Sequence, residues 1–141
     1  MTLVVAASVA LKCSCPRRGG LQAATLLAGL DAFIAPDLIV AEVVSAAWRA
    51  VRAGAMLDVQ HDRVAARLGA AFDALVPLAA LAPRAAVMSR LLDHPAYDCF
   101  YLALAEVRAA RLVTADRRLL GRVAGTQWER WTTDLYAMPS A

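Results

Sequence analysis

The chain predicts an α/β fold in three layers, with helices covering both faces of a central, mostly parallel sheet. Two observations carry this: short apolar runs recur along the sequence, and stretches of helical periodicity separate them. A third, the length of 141 residues, favours one domain spanning the whole chain, residues 1–141.

The elements follow in order. Residues 2–6 are an apolar run that reads as a first, buried strand; a small turn and a helix start complete the stretch TLVVAASVALK. Pro16 and Gly19–Gly20 mark a loop, and LQAATLLAGL reads as a helix. AFIAP is a short strand stopped by Pro36, and Asp37 is placed to cap the long helix LIVAEVVSAAWRAVRAG, which Gly54 closes. A second helix is expected from Asp58 to Leu75, a strand in VPLAAL, and a further helix from Pro83 to His94–Pro95. YDCFYLALAEVRAA reads as a helix, RLVTA as a strand and DRRLLGRVA as a helix, while QWERWTT alternates like a strand.

Composition narrows the class. Hydrophobic residues make up 60% of the chain, many of them alanine, enough for a large core with apolar surface left for a partner. No run reaches the roughly 18 apolar residues of a membrane span. Residues 3–11 look like a signal-peptide core, but no Lys or Arg precedes them and Lys12 ends the run, so a cytoplasmic protein is expected. Cys13, Cys15 and Cys99 are odd in number and read as free thiols; a zinc site has only His61 and His94 to draw on. The net charge of +3 rests almost wholly on arginine, clustered at Arg17–Arg18 and at Arg117, Arg118 and Arg122, which permits a polyanionic partner without requiring one.

Three carboxylates stand out. Glu42 belongs to a narrow polar stripe, Glu42–Ser45–Arg49–Arg52, on an otherwise apolar helix. Its helical neighbours Leu38, Ile39, Ser45 and Ala46 give it no local counter-charge. Asp98 and Asp116 open helices, and each alone reads as an N-cap. Together they fall at one edge of the sheet, and Glu42, near the start of its helix, reaches that edge too. Clustered carboxylates repel unless a cation neutralises them, and oxygen donors suit Mg²⁺ or Mn²⁺.

The segments APDLIVAEVVSAAWRAVRAG, HPAYDCFYLALAE and LVTADRRLL, in that order and spacing, resemble the VapC-type toxins of the PIN-domain ribonuclease family. The resemblance covers nearly the whole chain. It implies a cluster of four acidic positions holding Mg²⁺ or Mn²⁺, of which Glu42, Asp98 and Asp116 match three, with Ser8 and Thr114 at small polar positions that support them. The fourth acid belongs in a segment that usually reads V-V-D-A-S. Here it reads Val4, Val5, Ala6, Ala7, Ser8, so Ala6 stands at the expected fourth ligand position, by engineering or by natural loss. The segment LKCSCPRR also lacks the aromatic residues that many relatives carry there.

The resemblance implies metal-dependent hydrolysis of RNA phosphodiesters by a toxin of a type II toxin–antitoxin system, weakened or abolished here by Ala6. It further implies a homodimer, a cognate antitoxin that places an arginine among the carboxylates, and promoter DNA bound only through that antitoxin. A non-catalytic module of the same fold, acting through antitoxin or RNA binding, is the alternative. A receiver-like domain needs an acidic pair after its first strand and a late lysine, and Lys12 is the only lysine. His94 reads as a residue that caps the preceding helix or orders the turn. Tyr97, Tyr101, Trp128 and Trp131 read as packing residues ahead of base-stacking ones.

Overall fold

A computed structural model describes residues 1–12, 20–29 and 31–138. The cysteine pair Cys13 and Cys15, the loop at Pro16 and Gly19, the Arg17–Arg18 cluster and Leu30 lie outside the described residues. Five strands, β1 (Thr2–Val5), β2 (Ala32–Pro36), β3 (Ala74–Val76), β4 (Arg111–Thr114) and β5 (Thr132–Asp134), pair in parallel in the order β3-β2-β1-β4-β5. Among the described residues seven α-helices accompany them: α1 (Ala7–Lys12), α2 (Gly20–Leu27), α3 (Leu38–Arg52), α4 (Asp58–Arg67), α5 (Leu78–Leu92), α6 (Ala96–Arg108) and α7 (Arg117–Val123).

Alternation along the central strands builds the layers. Leu3, Val5, Phe33 and Val113 join Val9 of α1 and Ala23 and Leu26 of α2 in one apolar cluster. Val4, Ile34 and Leu112 face the larger cluster, formed with Ile39 and Val43 of α3, Leu81, Ala85 and Met88 of α5, and most of the buried face of α6. The sheet is therefore covered on both faces, the usual condition of parallel strands. None of the described helices is long and apolar enough to cross a membrane.

Local chemistry moved several expected boundaries. The helix expected to reach Leu75 stops at Arg67, and a 3₁₀ turn spans Leu68–Ala71. Asp73 then exchanges two bonds with Phe33: its backbone N–H donates to the Phe33 carbonyl and its carboxylate accepts from the Phe33 N–H, both at 2.8 Å. That exchange pulls the chain alongside β2, so the strand lies at Ala74–Val76 rather than in VPLAAL. The next helix begins at Leu78, before Pro83, because Leu81, Ala85, Met88 and Leu92 keep helical spacing across the proline. Asp37 has helical backbone angles and no side-chain cap bond; its N–H donates instead to the Val76 carbonyl at 2.9 Å. Of QWERWTT only Thr132 and Thr133 pair in the sheet, and Glu129–Trp131 form a 3₁₀ turn.

Away from the sheet's carboxyl edge, Glu106 ties α5 to α6. It accepts from Arg84 at 2.6 and 3.1 Å and from the Trp128 indole at 2.8 Å. Helix α6 ends at Ala109 in the left-handed region, φ 48°. A Cβ there costs roughly 1 kcal/mol that glycine avoids. Ala109→Gly is expected to raise unfolding free energy by about 1 kcal/mol, read from urea melts with an unchanged m-value; equal or lower stability would contradict this account of the turn.

Candidate metal centre

The strand order reverses direction between β1 and β4, which creates a crevice at their carboxyl ends, where parallel sheets bind ligands. Residue 6 lies at that point. The register pairs Val5 with Val113, and the Ala6 N–H donates to the Val113 carbonyl at 3.1 Å. Ala6 therefore stands beside Thr114, and its own carbonyl starts α1 by accepting from Val9 and Ala10.

Across the crevice, Asp116 caps α7. Its Oδ1 accepts from the Arg118 and Leu119 amides at 2.8 and 3.3 Å. The turn is fixed from behind, since buried Thr114 accepts the Asp116 N–H at 3.1 Å and Ser8 accepts the Ala115 N–H at 3.4 Å. Ser8 and Thr114 thus shape the loop that aims Asp116.

Asp98 is not an N-cap. Pro95 holds that position, and Asp98 lies in the first turn of α6 with its Oδ2 2.6 Å from His94 Nε2. The chain before it explains the contact. Asp93 ends α5 in the left-handed region, φ 48°, and Ser89 Oγ donates to the His94 carbonyl at 2.6 Å, which turns the buried imidazole toward α6. One donor atom each from His94, Asp98 and Asp116 lie within 4.8 Å of one another.

Glu42 falls outside that set of three but belongs to the same electrostatic neighbourhood. Its Oε1 accepts from the Tyr101 hydroxyl at 2.6 Å. Burial pushes the Glu42 carboxyl above its usual range; the Tyr101 bond opposes this and the Asp98 charge adds to it. Burial likewise raises Asp98, against the His94 bond, with the neighbouring Asp116 reinforcing the rise. Buried Cys99, next in the chain, is pushed up to about 11, first by burial and then by Asp98, so its thiol is a poor nucleophile at neutral pH.

Glu42 also lines a cavity of ≈ 530 Å³ with Ser8, Ser45, Arg49 and Tyr97. Arg49 donates to Ser45 at 3.1 Å, so the polar stripe of α3 runs along this cavity, while Arg52 leaves it to lie over the Trp48 ring. Tyr101 and Trp128 are buried, Trp131 is half-buried, and Tyr97 is exposed at the cavity mouth. Two carboxylates that resist ionisation together, an imidazole and a third carboxylate close by form a donor set that fits a divalent cation.

The raised pKa values fix a sign. Glu42 holds its proton to higher pH in the fold than in the unfolded chain, so its contribution to stability falls as pH climbs from the ordinary carboxylate range toward the raised folded value. In EDTA, Glu42→Gln, which still accepts from Tyr101, is expected to raise Tm at pH 7.5 and to show no advantage near pH 4. A pH-independent difference, or a less stable glutamine form at pH 7.5, would contradict this.

The PIN domain family model matches residues 3–125. The fold is similar to the crystal structure of PAE2754 from Pyrobaculum aerophilum, with a TM-score of 0.61 at 20% identity, covering 96% of this chain and 85% of that one. No curated protein matches the sequence. PIN domains are generally metal-dependent nucleases, and with a family match over most of its length and these acids at the β1–β4 crevice, this chain belongs to the PIN domain family.

Proposed function

We propose that the chain is a VapC-type toxin, an Mg²⁺- or Mn²⁺-dependent endoribonuclease whose activity is crippled by Ala6. The observation that carries the reading is the approach of Asp98 and Asp116, with Glu42 close by, beside a first-strand tip that bears only a methyl group. A divalent ion bound there supplies charge neutralisation at the scissile phosphate and a more acidic attacking water. Asp98 and Asp116 would hold the cation, and Glu42 would add negative charge from the α3 side. Thr114 and Ser8 keep the Asp116 loop in place, so little reorganisation accompanies binding.

Arg49, in the cavity that Glu42 lines, offers a guanidinium to a flanking RNA phosphate. Exposed Arg118 lies on the first turn of α7, directly after the Asp116 loop. Water adds to phosphorus as the bridging P–O bond breaks, and the proton the water gives up to solvent is matched by one the departing oxygen takes from it. Alanine at position 6 brings no carboxylate to the site, which would weaken ion binding there and the positioning of the phosphate.

The same acid pocket suits a protein partner. An antitoxin arginine entering it replaces the cation with a guanidinium, and the apolar surface at Val40 and Trp48 suits a homodimer or an antitoxin segment. Promoter DNA then binds through the antitoxin, in a cytoplasmic complex. Ala6 also favours a second reading, a non-catalytic module of the same fold that acts by binding antitoxin or RNA.

Restoring the acid separates the two. Ala6→Asp is expected to raise Mn²⁺-dependent cleavage of total RNA at least about 10- to 100-fold, with Ala6→Asp/Asp98→Asn returning it to the starting level. A folded Ala6→Asp protein inert on every RNA tried would overturn the nuclease reading and leave the binding module.

A further inference from the structure

The family's usual acid is missing at position 6, yet a nitrogen donor has entered the cluster from another direction. The His94 side chain is only 4% exposed. Its ring nitrogen faces the Asp98 carboxylate at 2.6 Å. The donor atoms of His94, Asp98 and Asp116 lie within 4.8 Å of one another. Ligands of an ion with bonds of about 2.1 Å lie about 3.0 Å apart when adjacent and about 4.2 Å apart when opposite, so the three atoms reach one coordination shell once the His94–Asp98 hydrogen bond opens by a few tenths of an ångström.

We infer that His94 is a metal ligand, giving this centre a mixed nitrogen–oxygen donor set that favours Mn²⁺ and Co²⁺ over Mg²⁺. The inference rests on the metal-dependent reading above and deepens it. A neutral imidazole offers Nε2 once its proton sits on Nδ1. It contributes no charge, so with Ala6 the site carries less negative charge than a ring of four carboxylates would. Mg²⁺, which binds through charge and hard oxygen, loses most from that exchange. Ions that accept imidazole nitrogen lose least.

The position is built rather than incidental. The left-handed Asp93, the Ser89 hydroxyl on the His94 carbonyl, and Pro95 at the start of α6 together fix the backbone on both sides of the imidazole. Asp98 sits one turn into the helix, where the imidazole of His94 reaches it. A histidine serving only to cap α5 needs no contact from its ring to Asp98.

Calorimetric titration of the metal-free protein with Mg²⁺, Mn²⁺ and Co²⁺ alone tests the inference without any activity assay. The wild-type chain is expected to bind Mn²⁺ and Co²⁺ at least about tenfold more tightly than Mg²⁺. His94→Asn is expected to weaken Co²⁺ by about 10- to 100-fold and Mg²⁺ by much less. Equal losses for all three ions would overturn the inference and reduce His94 to a positioning partner of Asp98; no loss for any ion would overturn it outright. Because a buried variant can misfold, the Co²⁺ form of the unmutated protein gives a second readout: a strongly shifted, exchangeable imidazole N–H proton, whose absence from the proton NMR spectrum of Co²⁺-loaded protein contradicts ligation. An Ala6→Asp arm separates the two levels of the account. If that variant binds no divalent ion, the metal-dependent reading itself fails, whereas ion binding that ignores His94 refutes only the inference.

Discussion

Like charge held together at one end of a parallel sheet is the constraint around which this structure is arranged. Asp98 and Asp116 approach closely enough to interact directly, and Asp98 is also felt by Glu42 across the crevice. Burial disfavours the Glu42 and Asp98 charges, and the charge of a neighbouring carboxylate adds to this in both. Such a cluster persists only if the surrounding bonds hold it and something positive answers it. Among the described residues the His94 imidazole meets Asp98 at 2.6 Å, and a divalent ion is the natural complement of the rest.

The scaffold around the acids consists of small polar groups doing backbone work. Thr114 and Ser8 accept amides from the loop after β4, and the Asp116 carboxylate completes that loop by capping α7 with Oδ1. On the opposite side, the Tyr101 hydroxyl donates to Glu42 at 2.6 Å. Its buried hydroxyl thereby ties α6 to α3. Position 6 is enclosed between these two arrangements, so a carboxylate placed there would face the same neighbours that now surround a methyl group.

Much of the fold was legible because its signals are local. Strand alternation at Leu3, Val4 and Val5 and the helical spacing of α3 and α6 mark their own elements. The region from Arg67 to Pro83 was not, because its boundaries are set from elsewhere: the exchange between Asp73 and Phe33 is 40 residues long-range, and a three-residue strand has no period of its own. The site divides in the same way. Glu42's lack of a local counter-charge could be read directly, but its partner Tyr101 lies 59 residues away. His94 went unrecognised as a member of the cluster because a His-Pro pair reads as a turn. Only the left-handed Asp93 and the Ser89 bond show where the imidazole goes.

The most direct measurement is the position of an ion in the crystal. Diffraction from crystals soaked in Mn²⁺, collected at the manganese absorption edge, is expected to show an anomalous peak between the Asp98 and Asp116 carboxylates on the side of residue 6. A peak at another place on the surface, or none at saturating Mn²⁺, would contradict the account that these distant carboxylates form one cation-binding centre.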